Sequence, residues 1–123
     1  MRCLLLFGIS MLLFSCYETE RNCNDYKLGT FRSEISINDS IYSSTFTRTE
    51  ELQIEKYNHV IDSSEVRWVN DCEVIFKTIN PKNRIEKKDI HLKILTTTDS
   101  SYTFEYSYVG DTHKQKGTAF KIK

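Results

Sequence analysis

Short stretches in which apolar and polar side chains alternate recur along the chain, and they strongly limit what it can fold into. In the stretch that starts at Lys27, one face carries Phe31, Ser33, Ile35 and Ile37. An alternation with a period of two is typical of a β-strand with one buried face. Similar stretches follow, separated by turn signals at about the 8–12-residue spacing of sandwiches and barrels. The sequence therefore predicts an all-β domain.

The remaining alternating stretches define the predicted strands, whereas the chain around residues 58–64 has a looser pattern. The residues that mark these strands are Tyr42, Ser44, Phe46 and Arg48; Leu52 and Ile54; Val66 and Trp68; Cys72, Val74 and Phe76; Ile90, Leu92 and Ile94; Tyr102, Phe104, Tyr106 and Tyr108; and Thr118, Phe120 and Ile122. Successive strands with short connections pair as antiparallel neighbours. We expect an antiparallel meander of seven or eight short strands that forms a small, lipocalin-like barrel or half-barrel, with a sandwich as the alternative.

The N-terminal stretch is typical of an export signal. Arg2 precedes an apolar run of about ten residues, well short of the roughly 20 that a membrane-spanning helix needs. The run ends in Leu13-Phe14-Ser15-Cys16, which resembles the lipobox of bacterial lipoproteins, whose cysteine is diacylated and becomes the mature N-terminus. The alternatives are an ordinary signal peptide cut near Ser15 or a buried N-terminal helix.

These observations predict a signal peptide over 1–15, a lipidated stub over 16–26 and a single β-domain over 27–123. The expected location is the cell envelope, as an outer-membrane lipoprotein on the periplasmic or the surface face, attached to the membrane through its lipid anchor. The chain has 17 basic and 17 acidic side chains. Because a balanced charge supplies no strong field for phosphate backbones, nucleic acid is not an expected partner.

Two cysteines, Cys23 and Cys72, remain after the export signal and the lipidation site are set aside. Exported chains meet an oxidising compartment, so this pair is expected to form a disulfide. Closing a loop of about 50 residues contributes about 4 kcal/mol in the chain-entropy model. The alternative is two free, buried thiols.

The sequence offers little for catalysis or metal binding. His59, His91 and His113 lie far apart in the sequence. No other Cys or His stands at ligand spacing beside Cys23 or Cys72. No G-x-S-x-G motif and no phosphate-binding glycine loop occur. We therefore expect neither an enzyme nor a bound metal or cofactor.

The aromatic strand is the best candidate for a functional surface. Tyr102, Phe104, Tyr106 and Tyr108 share one face, while the other face is polar. We expect the four to point inward, with Phe104 the deepest because it has no hydroxyl to satisfy. Together with Trp68, which we expect in the core, they either fill the interior or contact a ligand.

Residues 21–31 (RNCNDYKLGTF), 47–48 (TR), 53–55 (QIE) and above all 66–73 (VRWVNDCE) resemble a group of small flavobacterial (Bacteroidetes-type) lipoproteins of unknown function. The resemblance is moderate in the first half of the mature chain and weak after Asn80. Members of the group often carry the label "DNA topoisomerase IV". The residues contradict that label, because a type II topoisomerase subunit needs several hundred residues and a basic DNA groove.

Together these features predict a lipid-anchored envelope lipoprotein that acts as a non-enzymatic binding or structural module. The alternative is a lipocalin-like carrier of a small apolar ligand. The expected partners are accordingly a small apolar ligand or another envelope protein. A deep apolar cavity in the barrel favours the carrier.

Overall fold

The computed structural model describes residues 21–123, which form a closed antiparallel barrel of eight strands in meander order. This architecture confirms the predicted small barrel. The strands are β1 (Gly29–Ile37), β2 (Ser40–Arg48), β3 (Leu52–Tyr57), β4 (Val60–Asn70), β5 (Glu73–Thr78), β6 (Ile90–Thr97), β7 (Ser101–Tyr108) and β8 (Gln115–Lys121), and a short 3₁₀ helix, η1 (Cys23–Tyr26), precedes them.

Two of the hairpins turn on residue pairs that tolerate left-handed backbone. Asn38 and Asp39 join β1 to β2 with φ angles of 50° and 65°, and Asn58 and His59 join β3 to β4 with φ angles of 44° and 67°. Two-residue turns with positive φ match the right-handed twist of paired strands. The stretch at residues 58–64, which looked loose in the sequence, is thus a tight turn followed by the start of β4.

The barrel closes where β8 pairs with β1, from Phe31 opposite Lys121 to Ile35 opposite Gly117. At Gly117 an added Cβ would lie 2.8 Å from the Glu34 carbonyl oxygen and 2.7 Å from the Phe104 ring. The closing strands can approach this near only because Gly117 has no side chain.

The barrel has two ends, the η1 end and the hairpin end. The η1 end holds η1, the β2–β3, β4–β5 and β6–β7 connections and the residues after β8. The hairpin end holds the β1–β2, β3–β4, β5–β6 and β7–β8 connections. Because the meander alternates direction, side chains near the end of β2 and the start of β7 lie at the η1 end.

A disulfide ties η1 to the barrel. Cys23 of η1 is bonded to Cys72 in the β4–β5 turn, with Cα atoms 5.3 Å apart. This bond confirms the predicted pairing. Cys23 and Tyr26 are buried, so η1 contributes to the same hydrophobic core as the strands.

Inward-facing side chains from most strands form a single core whose centre is aromatic. Phe31 stacks on Phe46 with ring centroids 5.1 Å apart, and Tyr26 of η1 packs 5.2 Å from Tyr102. Within residues 21–123, no helix combines the length and the apolar character that crossing a membrane requires.

Candidate functional site

A partly open cavity of about 190 Å³ lies within the barrel, between the aromatic core and the hairpin end. Most of its wall is apolar, but polar side chains from β1, β2 and β3 enter it as well. Its lining residues are Ser33, Ile35, Phe46, Arg48, Gln53, Glu55, Phe76, Ile90, Leu92, Tyr102, Phe104 and Tyr106. An apolar cavity with a few convergent polar groups is the usual form of a small-molecule site.

Arg48, the last residue of β2, borders the cavity on the side of the η1 end. Its side chain is 2% exposed, and it donates three hydrogen bonds to uncharged acceptors. Nε donates to Gln53 Oε1 at 2.8 Å, Nη1 to the Tyr26 carbonyl oxygen at 3.0 Å, and Nη2 to the Tyr102 hydroxyl at 3.1 Å. The buried guanidinium is therefore held by three neutral partners, one on each nitrogen.

Four aromatic rings surround the same guanidinium. Its central carbon lies 5.1 Å from the ring centroid of Phe46, 5.4 Å from Phe76, and 5.6 Å from both Phe31 and Trp68. Ring faces carry partial negative charge, so each ring within about 6 Å attracts the cation. The rings supply stabilisation that buried cations more often obtain from a carboxylate.

No carboxylate performs that role in residues 21–123. The four ion pairs found among these residues lie elsewhere, and none includes Arg48. Because no carboxylate in residues 21–123 neutralises its charge, Arg48 makes the side of the cavity nearest the η1 end, its floor, electropositive.

Glu55 of β3 lines both the cavity and a neighbouring depression of about 200 Å³ at the hairpin end. Burial raises the pKa of its carboxyl above the usual 4.5, the nearby Asp62 carboxylate raises it further, and a hydrogen bond from Ser44 opposes both. The site therefore has a cationic floor and an acidic mouth.

The mouth is this depression. It has four lining residues in common with the cavity, namely Gln53, Glu55, Phe76 and Ile90. Lys88, from the β5–β6 connection, lies 5.5 Å from the Tyr108 ring at this mouth. The mouth therefore adjoins the cavity on the side of the hairpin end, opposite the disulfide.

The four predicted aromatic residues of β7 share one face of the strand, where two are buried and two are half-buried. Tyr102, Phe104 and Tyr106 line the cavity, and Tyr108 lines the mouth. Successive rings lie 5.8 Å and 6.0 Å apart from Tyr102 to Tyr106. Burial raises the pKa of Tyr106, with the Glu55 charge adding to the effect.

The expected order of depth along β7 is wrong. Tyr102 is 1% exposed and Phe104 is 4% exposed, so the tyrosine is the deeper residue. A buried tyrosine needs a partner for its hydroxyl, and the Arg48 guanidinium supplies one at 3.1 Å.

Trp68 packs against the core without lining the cavity. It is partly buried, pairs with Val74 across β4 and β5, and lies behind the Arg48 guanidinium. The Lys27 ammonium covers the same indole at 5.2 Å. Trp68 thus contributes to holding Arg48 and is not placed to touch a ligand.

The three histidines are not brought together. His91 contacts Glu73 at 3.1 Å on the outer wall, and His113 contacts Gln115 in the β7–β8 region. Hydrogen bonding from Asn70, together with the His91 and Lys93 charges, lowers the pKa of Glu73 despite its partial burial. No group of three or more His, Cys, Asp or Glu side chains within 21–123 is placed to hold a metal ion.

Gln53 and Glu55 line the cavity, although the pattern of apolar residues in the sequence does not indicate either of them. They alternate with Leu52 and Ile54, and the apolar pair draws attention because apolar side chains usually face inward. Arg48 carried a signal, since it shares the inward face of β2 with Phe46. A charged residue in phase with a buried aromatic residue marks such a position.

The predicted lipidation site, Cys16, lies outside the described residues. Comparison of the chain with protein-family models, with curated proteins and with solved structures finds no significant match to any of them.

Proposed function

We propose that the protein is a lipid-anchored lipoprotein of the cell envelope whose barrel binds a small molecule without transforming it. The observation that carries the binding role is the cavity of about 190 Å³ that opens toward the hairpin end. The lipid anchor rests on Leu13–Cys16, the lipobox-like end of the apolar leader. The membrane is then a partner through the acyl chains, and nucleic acid is not a partner.

The size of the cavity sets the size of the ligand. A cavity of about 150 Å³ lined by aliphatic and aromatic side chains can hold one benzene molecule. The present volume of about 190 Å³ therefore fits one ring or a short aliphatic chain. Drug-sized ligands, whose pockets measure roughly 300–1,000 Å³, are too large unless the mouth widens.

The binding role is tested with benzene as the probe on the detergent-solubilised full chain. Leu92 is 8% exposed and lines the cavity, so Leu92→Trp should fill it. Leu52→Trp is the matched control, because Leu52 lies on β3 with 37% of its side chain exposed. Benzene should shift amide resonances around the cavity in the wild type and in Leu52→Trp. If the wild type shows no saturable binding of benzene, the proposal is contradicted.

The lipid anchor has its own test. Radiolabelled palmitate should be incorporated into the wild type and should be absent from Cys16→Ser, which should also leave the membrane fraction. Wild-type protein that never acquires label contradicts the anchor and leaves the cavity proposal intact.

A protein-binding module is the second candidate, favoured by apolar side chains exposed near the hairpin end. Ile41, Val60 and Ile61 are exposed by 70%, 48% and 61%, respectively, on the β1–β2 and β3–β4 hairpins. Exposed apolar patches of this kind often mark contacts with other proteins. Benzene binding that fails while Ile61→Glu abolishes co-purification of an envelope protein would favour this role.

A further inference from the structure

Arg48 has more donors than the described protein uses. A guanidinium carries five N–H donors, and Arg48 uses three of them, toward Gln53, Tyr26 and Tyr102. Each terminal nitrogen thus retains one N–H without an acceptor in residues 21–123. The side chain is only 2% exposed and borders the cavity, so these donors lack bulk water as well.

An acceptor for these two N–H groups of Arg48 has a defined chemistry. Planar guanidinium groups bind carboxylates with charge-assisted hydrogen bonds that are shorter and stronger than neutral ones. An anion placed on Arg48 would supply both the absent negative charge and the absent acceptors. Arg48 lines the cavity, so the anionic group of a ligand bound in the cavity can reach the guanidinium.

The rest of the cavity defines the other half of the ligand. Beyond Arg48 the wall is formed largely by Phe76, Ile90, Leu92 and Phe104. Such a wall favours an apolar body, since removing apolar surface from water stabilises the complex.

Charges at the mouth fix the direction of entry. Three carboxylates, Glu55, Asp62 and Glu86, and one ammonium, Lys88, line the depression at the hairpin end, so negative charge predominates there. Carboxylates at the mouth repel the anionic end of a ligand, whereas Arg48 attracts it from the floor. A small amphiphilic anion is therefore oriented with its charge inward.

We propose that the cavity binds a small monocarboxylate with a one-ring or short aliphatic body, its carboxylate on Arg48 and its body against Leu92 and Phe104. This assignment rests on the proposed binding function and names the class of its ligand. Arg48 is then the residue that determines ligand specificity.

Benzoate and benzyl alcohol test the assignment, because they differ in charge and share size and ring. Titration calorimetry on the detergent-solubilised full chain should give benzoate an affinity about tenfold or more above that of benzyl alcohol, as one charge-assisted hydrogen bond implies. The Arg48 Nε–Hε NMR signal should shift with benzoate.

Arg48→Met should remove this preference. Arg32→Met is the matched control, because Arg32 is exposed and packs 5.0 Å from Phe120 on the outer wall. If Arg48→Met fails to fold, the benzoate preference and the Arg48 signal in the wild type decide the question alone.

The outcomes separate this inference from the function beneath it. Equal affinities with an unmoved Arg48 signal overturn the carboxylate assignment and leave the cavity as a site for neutral ligands. Benzoate shifts confined to surface lysines overturn it as well. Failure of benzene, benzoate and benzyl alcohol to bind overturns the binding function itself.

Discussion

At the η1 end, a disulfide and several side-chain hydrogen bonds join segments that are distant in sequence, whereas at the hairpin end the chain reverses in exposed turns. The η1 end has the disulfide, the three hydrogen bonds of Arg48 and a bond from the Tyr26 hydroxyl to the Thr98 carbonyl oxygen. The hairpin end has its positive-φ turns, the mouth and the acidic pair of Glu55 and Asp62.

We therefore expect the contacts that stabilise the fold to be concentrated at the η1 end, and entry of the proposed ligand to take place at the hairpin end. Changes at the η1 end should mainly lower the free energy of unfolding. Changes at the hairpin end should mainly alter ligand entry and pH response. Arg48 lies between the halves, since it joins η1 and also faces the cavity.

Removing the disulfide should give the largest effect. Replacing both Cys23 and Cys72 by alanine releases a crosslink with a sequence separation of 49. The double variant should lose about 4 kcal/mol in urea unfolding, since the unfolded chain regains its loop entropy. Intact mass after alkylation without reduction checks the starting point: two alkylated thiols in the folded wild type contradict the bond. A loss below about 1 kcal/mol would show that the disulfide contributes little to stability.

Trp68→Ala should give the next largest loss. The indole is partly buried, packs on the core and covers the Arg48 guanidinium. Truncation should cost about 3 kcal/mol, the lower part of the usual range for large aromatic residues. Tyr57→Ala is the control at the hairpin end, where the side chain is 38% exposed. Equal losses for the two variants would remove the contrast between the ends.

Two tyrosines on β7 sharpen the comparison within one strand. Tyr102→Phe removes the acceptor of Arg48 Nη2, so it should destabilise the protein by about 1.5–3 kcal/mol, as expected for a hydrogen bond to a charged group. Tyr106→Phe, nearer the hairpin end, should change stability by less than about 0.5 kcal/mol. Benzoate affinity should also be more sensitive to position 102, because the Tyr102 hydroxyl positions the Arg48 guanidinium. Chemical unfolding together with benzoate titration of both variants measures the contrast.

Much of the fold was predictable because the alternation of inward and outward side chains is a local property. The strands, the turn at Asn38 and the pairing of Cys23 with Cys72 all leave marks in the sequence. Closure of the meander is visible only in the register of β1 with β8, which depends on residues far apart in the chain.

The site was harder to predict because its polar members interrupt an apolar pattern. On β3 the apolar Leu52 and Ile54 face outward, so the pattern alone draws attention to the wrong side. Tyr102 is deeper than Phe104 for a similar reason, since its partner Arg48 lies 54 residues away in sequence. A buried polar group can be placed only when its partner is known.

The smallest predicted effect concerns the charge on Glu55. Burial, with Asp62 adding to it, raises the pKa of this carboxyl above 4.5 in the folded protein. The folded state therefore holds the proton more tightly than the unfolded chain, and ionisation of Glu55 destabilises the fold. This penalty is absent below pH 4.5, grows as the pH rises through the raised pKa, and is complete above it.

Glu55→Gln should consequently be more stable than the wild type at neutral pH and should lose that advantage as the pH falls toward 4.5. Glu65→Gln is the control, because Glu65 is exposed on the outer face of β4. Urea unfolding at a series of pH values gives the difference between each variant and the wild type, so titration of other groups cancels. A Glu55→Gln advantage that is constant with pH would mean that the carboxyl does not titrate differently on folding. The acidic mouth would then be no more than a solvated rim.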